Sequence, residues 1–132
     1  MTHVVVGVII RKNPLSYLLV SSKKDFGEYT GYYYPPSGHI EKREDELTAL
    51  RREMKEELEL NIVGAKKIAD TMGDIENQKT SWYVCNVDNL NFNYNKTELQ
   101  DANFFSQKEI ESMKVWPTTL DVLKKIYFWK RK

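Results

Sequence analysis

A single cysteine, Cys85, leaves the chain without an internal disulfide and suits a reducing compartment. No apolar run approaches the ~20 residues that a membrane-spanning helix needs. The apolar Val4–Ile10 stretch lacks both a basic leader and a small-residue cleavage site, so it does not read as a signal peptide. A cytoplasmic location is the expectation. Excess charge of one sign is missing too: 20 Lys and Arg stand against 19 Asp and Glu, a formal net charge of +1. That balance supplies no general attraction to nucleic acid or to a membrane surface. Internal repeats and low-complexity tracts are likewise missing. What is present, 132 residues of which 41% are hydrophobic, suffices for a single domain over residues 1–132 with its own core.

The charge is nevertheless unevenly placed. Glu41 to Glu59 is net negative, while the last nine residues hold Lys124, Lys125, Lys130, Arg131 and Lys132, read here as solvated helix-end side chains. Asp45 to Leu58 has helical periodicity. At ~100° per residue Leu47, Leu50, Met54 and Leu58 fall on one stripe, and Glu53, Glu56 and Glu57 share the adjoining face. Like charges at these spacings each cost roughly 0.2–0.5 kcal/mol in a bare helix. A divalent cation offsets that repulsion, and oxygen-only ligands select a hard ion, Mg²⁺ or Mn²⁺, over zinc.

Gly38, then five residues, Glu44, then seven residues, and Arg52-Glu53-Met54-x-Glu56-Glu57-x-x-Leu60 resembles the signature of the Nudix (MutT-like) hydrolases. One position departs: the family has glycine before its last apolar residue, and here that place holds Glu59, which accepts a left-handed conformation less cheaply. Ser37 and Arg43 likewise replace frequent small residues. The resemblance implies Mg²⁺-dependent hydrolysis of a nucleoside diphosphate linked to another group, with Mn²⁺ able to substitute. It assigns Glu53, Glu56, Glu57 and the Gly38 carbonyl to the metal and Arg52 to orienting a neighbouring glutamate; Glu44 is expected either to do the same from the loop side or to help hold metal or water. In this family the general base comes from the box or from a downstream acidic residue. Glu98, directly after an asparagine-rich loop, is the downstream candidate, with Glu53 and Glu56 as alternatives. His39 reads more simply as a turn-holding imidazole.

Along the rest of the chain, Val4–Ile10 and Tyr17–Val20 read as a hairpin about a 12–15 turn. Lys23 stands where the second strand ends and is a candidate phosphate contact. Residues 25–34 read as a Gly/Tyr-rich loop entering a short strand before Pro35-Pro36, with Phe26 and Tyr29 the candidates for stacking on a base. Asn61–Met72 and Thr80–Val87 read as strands about a polar turn, although Trp82, Val84 and Val87 do not alternate cleanly. Residues 89–97 read as a mobile rim. A strand over 101–106, a helix over 107–113 and a last helix beginning near Pro117, striped by Leu120, Leu123 and Ile126/Tyr127, complete the order. Helices separated by a mixed sheet predict an α/β fold in three layers, which is also the Nudix α/β/α sandwich.

Within that reaction class a nucleoside triphosphate is the leading substrate. Dinucleoside polyphosphates and ADP-ribose stay open, as does a nucleotide-binding module that does not turn over. Trp116-Pro117-Thr118-Thr119 occupies the region where related oxidised-purine hydrolases read the base with an asparagine, so that specificity does not carry over.

Overall fold

Residues 1–72 and 74–131 are described by a computed structural model, the last three of them by backbone alone. The β-branched N-terminal run forms β1 (Thr2–Arg11), and the turn leads into β2 (Ser16–Ser22). The two strands pair only beside the turn, at Ile10↔Tyr17 and Arg11↔Ser16. Beyond it the expected hairpin opens, because each strand has better-placed partners. β1 pairs antiparallel with β4 (Ser37–His39) and parallel with β6 (Gln78–Val87), whose other edge carries β5 (Ile62–Met72). β2 lies between β3 (Tyr33–Tyr34) and β7 (Leu99–Ser106). A mixed sheet β4-β1-β6-β5 and a smaller antiparallel sheet β3-β2-β7 therefore meet at the β1–β2 turn. Ser37–His39 is strand because its backbone fills the edge of β1 left free when β2 diverges.

Alternation along β1 creates the layers. Val5 and Ile9 face α1 (Glu46–Leu58), packing with Leu50, Met54 and Leu58. Val4, Val6 and Val8 face the other way, onto Val122, Leu123 and Ile126 of α3 (Pro117–Arg131). The short α2 (Gln107–Glu111) carries a capping box made by Ser106 and Glu109. The untidy pattern around Trp82 resolves in the same way. Trp82 and Val84 pack toward α3, while Tyr83, Cys85 and Val87 pack toward α1, so both faces of β6 are apolar. At Gly7 a Cβ would run into the Met54 side chain, so the close approach of α1 to β1 depends on a glycine there.

The stripe on α1 buries as its spacing requires: Leu50 and Leu58 are 0% and Met54 1% exposed, Ala49 joins them, and Leu47 stays half-buried. Asp45 starts the helix by accepting the Thr48 N–H at 2.8 Å. Glu59 ends it at φ 54°, ψ 36°, taking the left-handed position itself. Cys85 is buried and its thiol is pushed up to about 12 by that burial. Lys124 and Lys125 are exposed on α3, whereas the side chains of Lys130, Arg131 and Lys132 lie outside the described residues. No helix among the described residues is long and apolar enough to cross a membrane.

Candidate active site

Helical spacing puts Glu53, Glu56 and Glu57 on the edge of α1 beside its buried stripe. Glu53 and Glu57 are half-buried and Glu56 is exposed. Their proximity has an electrostatic cost that falls mainly on Glu57. Its carboxyl is pushed up to about 8, first by burial and then by Glu53, Glu98 and Glu56. Burial also raises Glu53, against the pull of Arg52 and with Glu56 and Glu98 adding to it. Glu98 thus joins the trio in space although it is 41 residues beyond Glu57 in the chain.

Arg52 organises the loop side of this cluster. Its Nε and Nη2 donate to Glu44 Oε2 and Oε1 at 2.8 and 2.9 Å, a two-pronged pairing that matches the planar guanidinium. Nη1 donates to Glu53 Oε1 at 2.8 Å and lies 3.4 Å from Glu56 Oε2, while Nη2 also donates to the His39 carbonyl at 3.0 Å. Glu44 accepts the Glu41 N–H at 2.9 Å, which closes the turn between β4 and α1. The Arg52 hydrogen bond, followed by that N–H, holds the Glu44 carboxyl below the usual carboxylate range. Gly38, in β4, lies against the same cluster: a Cβ there would overlap the Glu53 carboxylate.

The donor chemistry fits a hard divalent cation. Burial and like charge disfavour ionisation of Glu53 and Glu57, and an approaching cation would reverse both effects. In the observed arrangement Arg52 engages Glu53 and approaches Glu56, and among the described residues no three of His, Cys, Asp and Glu are closed into a coordination group. The convergence is one of charge and side-chain type, not of a finished shell.

These carboxylates line a cavity of about 790 Å³. Phe26 and Trp116 line it too, with Thr118, Thr119, Asp74 and Thr80. Phe26 meets Trp116 edge-on with centroids 5.4 Å apart. Tyr29 does not line the cavity; its ring face is taken by Trp116, on which it stacks at 4.6 Å and 29°. Of the two stacking candidates, Phe26 faces the cavity and Tyr29 supports the wall. Lys23 lines the cavity, with its Nζ donating to the Lys96 carbonyl.

A reading of the chain alone assigns no role in the site to two lining residues. Trp116 is 7% exposed and its Nε1 has no hydrogen-bond partner among the described residues, an unusual state for a buried donor. Tyr34 lines the cavity as well. Its ring meets Trp116 edge-on at 6.4 Å, and its phenol is raised by burial and then by Glu57. Trp116 directly precedes Pro117, the first residue of α3, in the segment that the chain alone already sets against the base-reading region of related hydrolases.

Two backbone hydrogen bonds tie the asparagine-rich loop to the end of α1. Asn93 N–H donates to the Leu58 carbonyl at 3.1 Å and Asn95 N–H to the Glu57 carbonyl at 2.8 Å. Both satisfy carbonyls that a helix C-terminus otherwise leaves unpaired.

The family profile described as NUDIX domain matches residues 1–126. No curated protein matches the chain in sequence. Among solved structures, a Caenorhabditis elegans Ap4A hydrolase binary complex is similar at TM-score 0.79 and 16% identity, covering 99% of this chain and 98% of that one. A Burkholderia pseudomallei MutT Nudix hydrolase is similar at TM-score 0.77 and 17% identity, with 93% and 95% covered. The Nudix domain of Shewanella oneidensis NrtR, complexed with ADP ribose, gives TM-score 0.71 and 14% identity over 95% and 85%. At these identities the likeness is one of fold.

Proposed function

The chain belongs to the Nudix family of pyrophosphohydrolases, and from that premise we propose that it cleaves the pyrophosphate linkage of a nucleoside triphosphate with Mg²⁺ as its working ion. The observation that carries the reading is one cavity lined both by the carboxylates and by Phe26 and Trp116. A polyphosphate needs charge neutralisation and an activated water; a base needs a flat apolar surface.

In this reading Glu53, Glu56 and Glu57, with the Gly38 carbonyl, hold Mg²⁺, and Mn²⁺ substitutes for it. The bound ion supplies charge neutralisation on the phosphate oxygens and a lowered pKa for the attacking water. Arg52 fixes the Glu53 carboxylate, and Glu44 in turn fixes Arg52. Glu98, set beside Glu53 and Glu57, takes the proton from the attacking water. Lys23 steadies the phosphates at the cavity wall. No carboxylate of the box is replaced, which argues for turnover over mere binding.

The test is a panel of nucleoside triphosphates, dinucleoside polyphosphates, ADP-ribose and nucleotide sugars, incubated with Mg²⁺ or Mn²⁺ and resolved by product. The expected result is nucleoside monophosphate and pyrophosphate from a triphosphate, lowered roughly a hundredfold or more in Glu56→Gln. Turnover confined to dinucleotides or ADP-ribose would overturn the substrate class. Metal-dependent binding with no product from any member would replace hydrolysis by a binding function.

A further inference from the structure

We infer that Asn95 is a positioning residue, which sets Glu98 in register with Glu57; the inference rests on the assignment of Glu98 to the reaction. Asn95 is half-buried, at the point where the loop after β6 crosses the end of α1. Its backbone N–H, its backbone carbonyl and its side-chain Oδ1 all find partners. Its N–H donates to the Glu57 carbonyl at 2.8 Å, on the backbone of a proposed metal ligand. Its own carbonyl accepts Glu98 N–H at 3.2 Å and Leu99 N–H at 2.9 Å. Its Oδ1 accepts Thr97 N–H at 3.0 Å and so folds the intervening turn. On the far side of Glu98, Lys23 N–H donates to the Glu98 carbonyl at 3.0 Å. Glu98 is thus held at both its backbone groups, and of the two loop residues bonded to the end of α1, Asn93 and Asn95, Asn95 is the one that also bonds to Glu98.

Residue type matters at only one of these bonds. Any amino acid but proline offers the backbone groups, but the Oδ1 bond to Thr97 needs a short side-chain acceptor, and Asn, Asp and in weaker form Ser provide it. Without it the 95–98 turn keeps its covalent path and loses the constraint that orients it. Glu98 is exposed, and no hydrogen bond to its carboxylate is present among the described residues to hold it otherwise. Small misplacements of a proton acceptor are costly to rate and cheap to fold stability, since the groups involved lie at the surface.

The experiment compares Asn95→Ala, Asn95→Ser, Asn95→Asp, Glu98→Gln and the double variant Asn95→Ala/Glu98→Gln. Glu98→Gln is expected to lower kcat at least about tenfold with little change in thermal midpoint. Asn95→Ala is expected to lose most of the same factor in kcat, with KM near that of the parent. Asn95→Asp restores the rate and Asn95→Ser falls between. The double variant is no slower than Glu98→Gln, since two changes that act through one group do not add. A second readout needs no turnover: amide hydrogen exchange in the metal-free protein should speed up at Thr97, Glu98 and Leu99 in Asn95→Ala while the core of α1 is unchanged.

Parental kcat in Asn95→Ala, additive losses in the double variant, or unchanged exchange at 97–99 would each overturn the inference. So would full turnover by Glu98→Gln, which would leave the pyrophosphatase reading standing. If the parent hydrolyses no nucleotide, the proposed function fails by itself, and the exchange result still decides whether Asn95 holds the turn. Should Asn95→Ala unfold, Asn95→Ser and Asn95→Asp carry the same comparison.

Discussion

Glu57 concentrates the electrostatics of the site in one side chain. Its carboxyl sits at about 8 when folded, far above the ordinary glutamate range, because burial and three neighbouring carboxylates disfavour its charge. A folded-state pKa above the unfolded one adds stability at low pH, and that contribution disappears as pH rises through the folded value. Protein stripped of metal by a chelator should therefore lose thermal stability between about pH 5 and pH 8.5, apart from any change in its other groups. Glu57→Gln should flatten the curve over that window, and Mg²⁺ should restore the parent most at the alkaline end. Thermal melts at fixed ionic strength check this, and a parent curve parallel to that of Glu57→Gln would refute it. Arg52 is the counterpart of this crowding. Its residue type and spacing point to an orienting role, and its bonds to Glu44 and Glu53 have the geometry for it.

The two ends of α1 show how an element is specified locally. At the start, Asp45 and Thr48 make an N-cap whose residue types are legible in the chain. At the end Glu59 adopts φ 54°, where glycine is the cheaper occupant, and its N–H bonds back to the Lys55 and Met54 carbonyls as a helix stop requires. The fold imposes this conformation because Leu60, 2% exposed, must turn into the core directly afterwards. Glu59→Gly should accordingly raise stability by roughly 0.5–1 kcal/mol, the relief of left-handed strain less the added chain entropy of glycine. Urea denaturation midpoints measure it, with Glu59→Ala as a control that keeps the strain; equal midpoints for the Gly and Ala variants would refute the account.

For the molecule as a whole, the decisive arrangement is that elements distant in sequence share one cavity. The carboxylates come from α1 and the loop before β7, Phe26 from the segment after β2, and Trp116 from the residue before α3. Trp116→Ala should raise KM for a nucleoside triphosphate about tenfold with a smaller change in kcat, since stacking on a base is worth roughly 1–3 kcal/mol per ring. Trp116→Phe, which keeps a ring face and drops Nε1, should lose less. Steady-state kinetics decide it: equal KM for parent and Trp116→Ala would remove the aromatic wall from substrate binding.

The chain by itself determined the helix that carries Glu53, Glu56 and Glu57, its buried stripe and the register of Gly38, Glu44 and Arg52. All of these are periodicities and spacings within about two dozen residues, where local geometry sets which side chains are neighbours. It also determined the three-layer class, since strands and helices alternate in a readable order. Tertiary structure alone decided that Ser37–His39 is a strand, that the β1–β2 hairpin opens and that the asparagine-rich loop is bound to α1. It alone brought Glu98 near Glu57 and placed Trp116 in the lining of the same cavity. Each of these depends on backbone groups or on contacts across long stretches of chain, and neither leaves a pattern in side-chain type that a linear reading can detect.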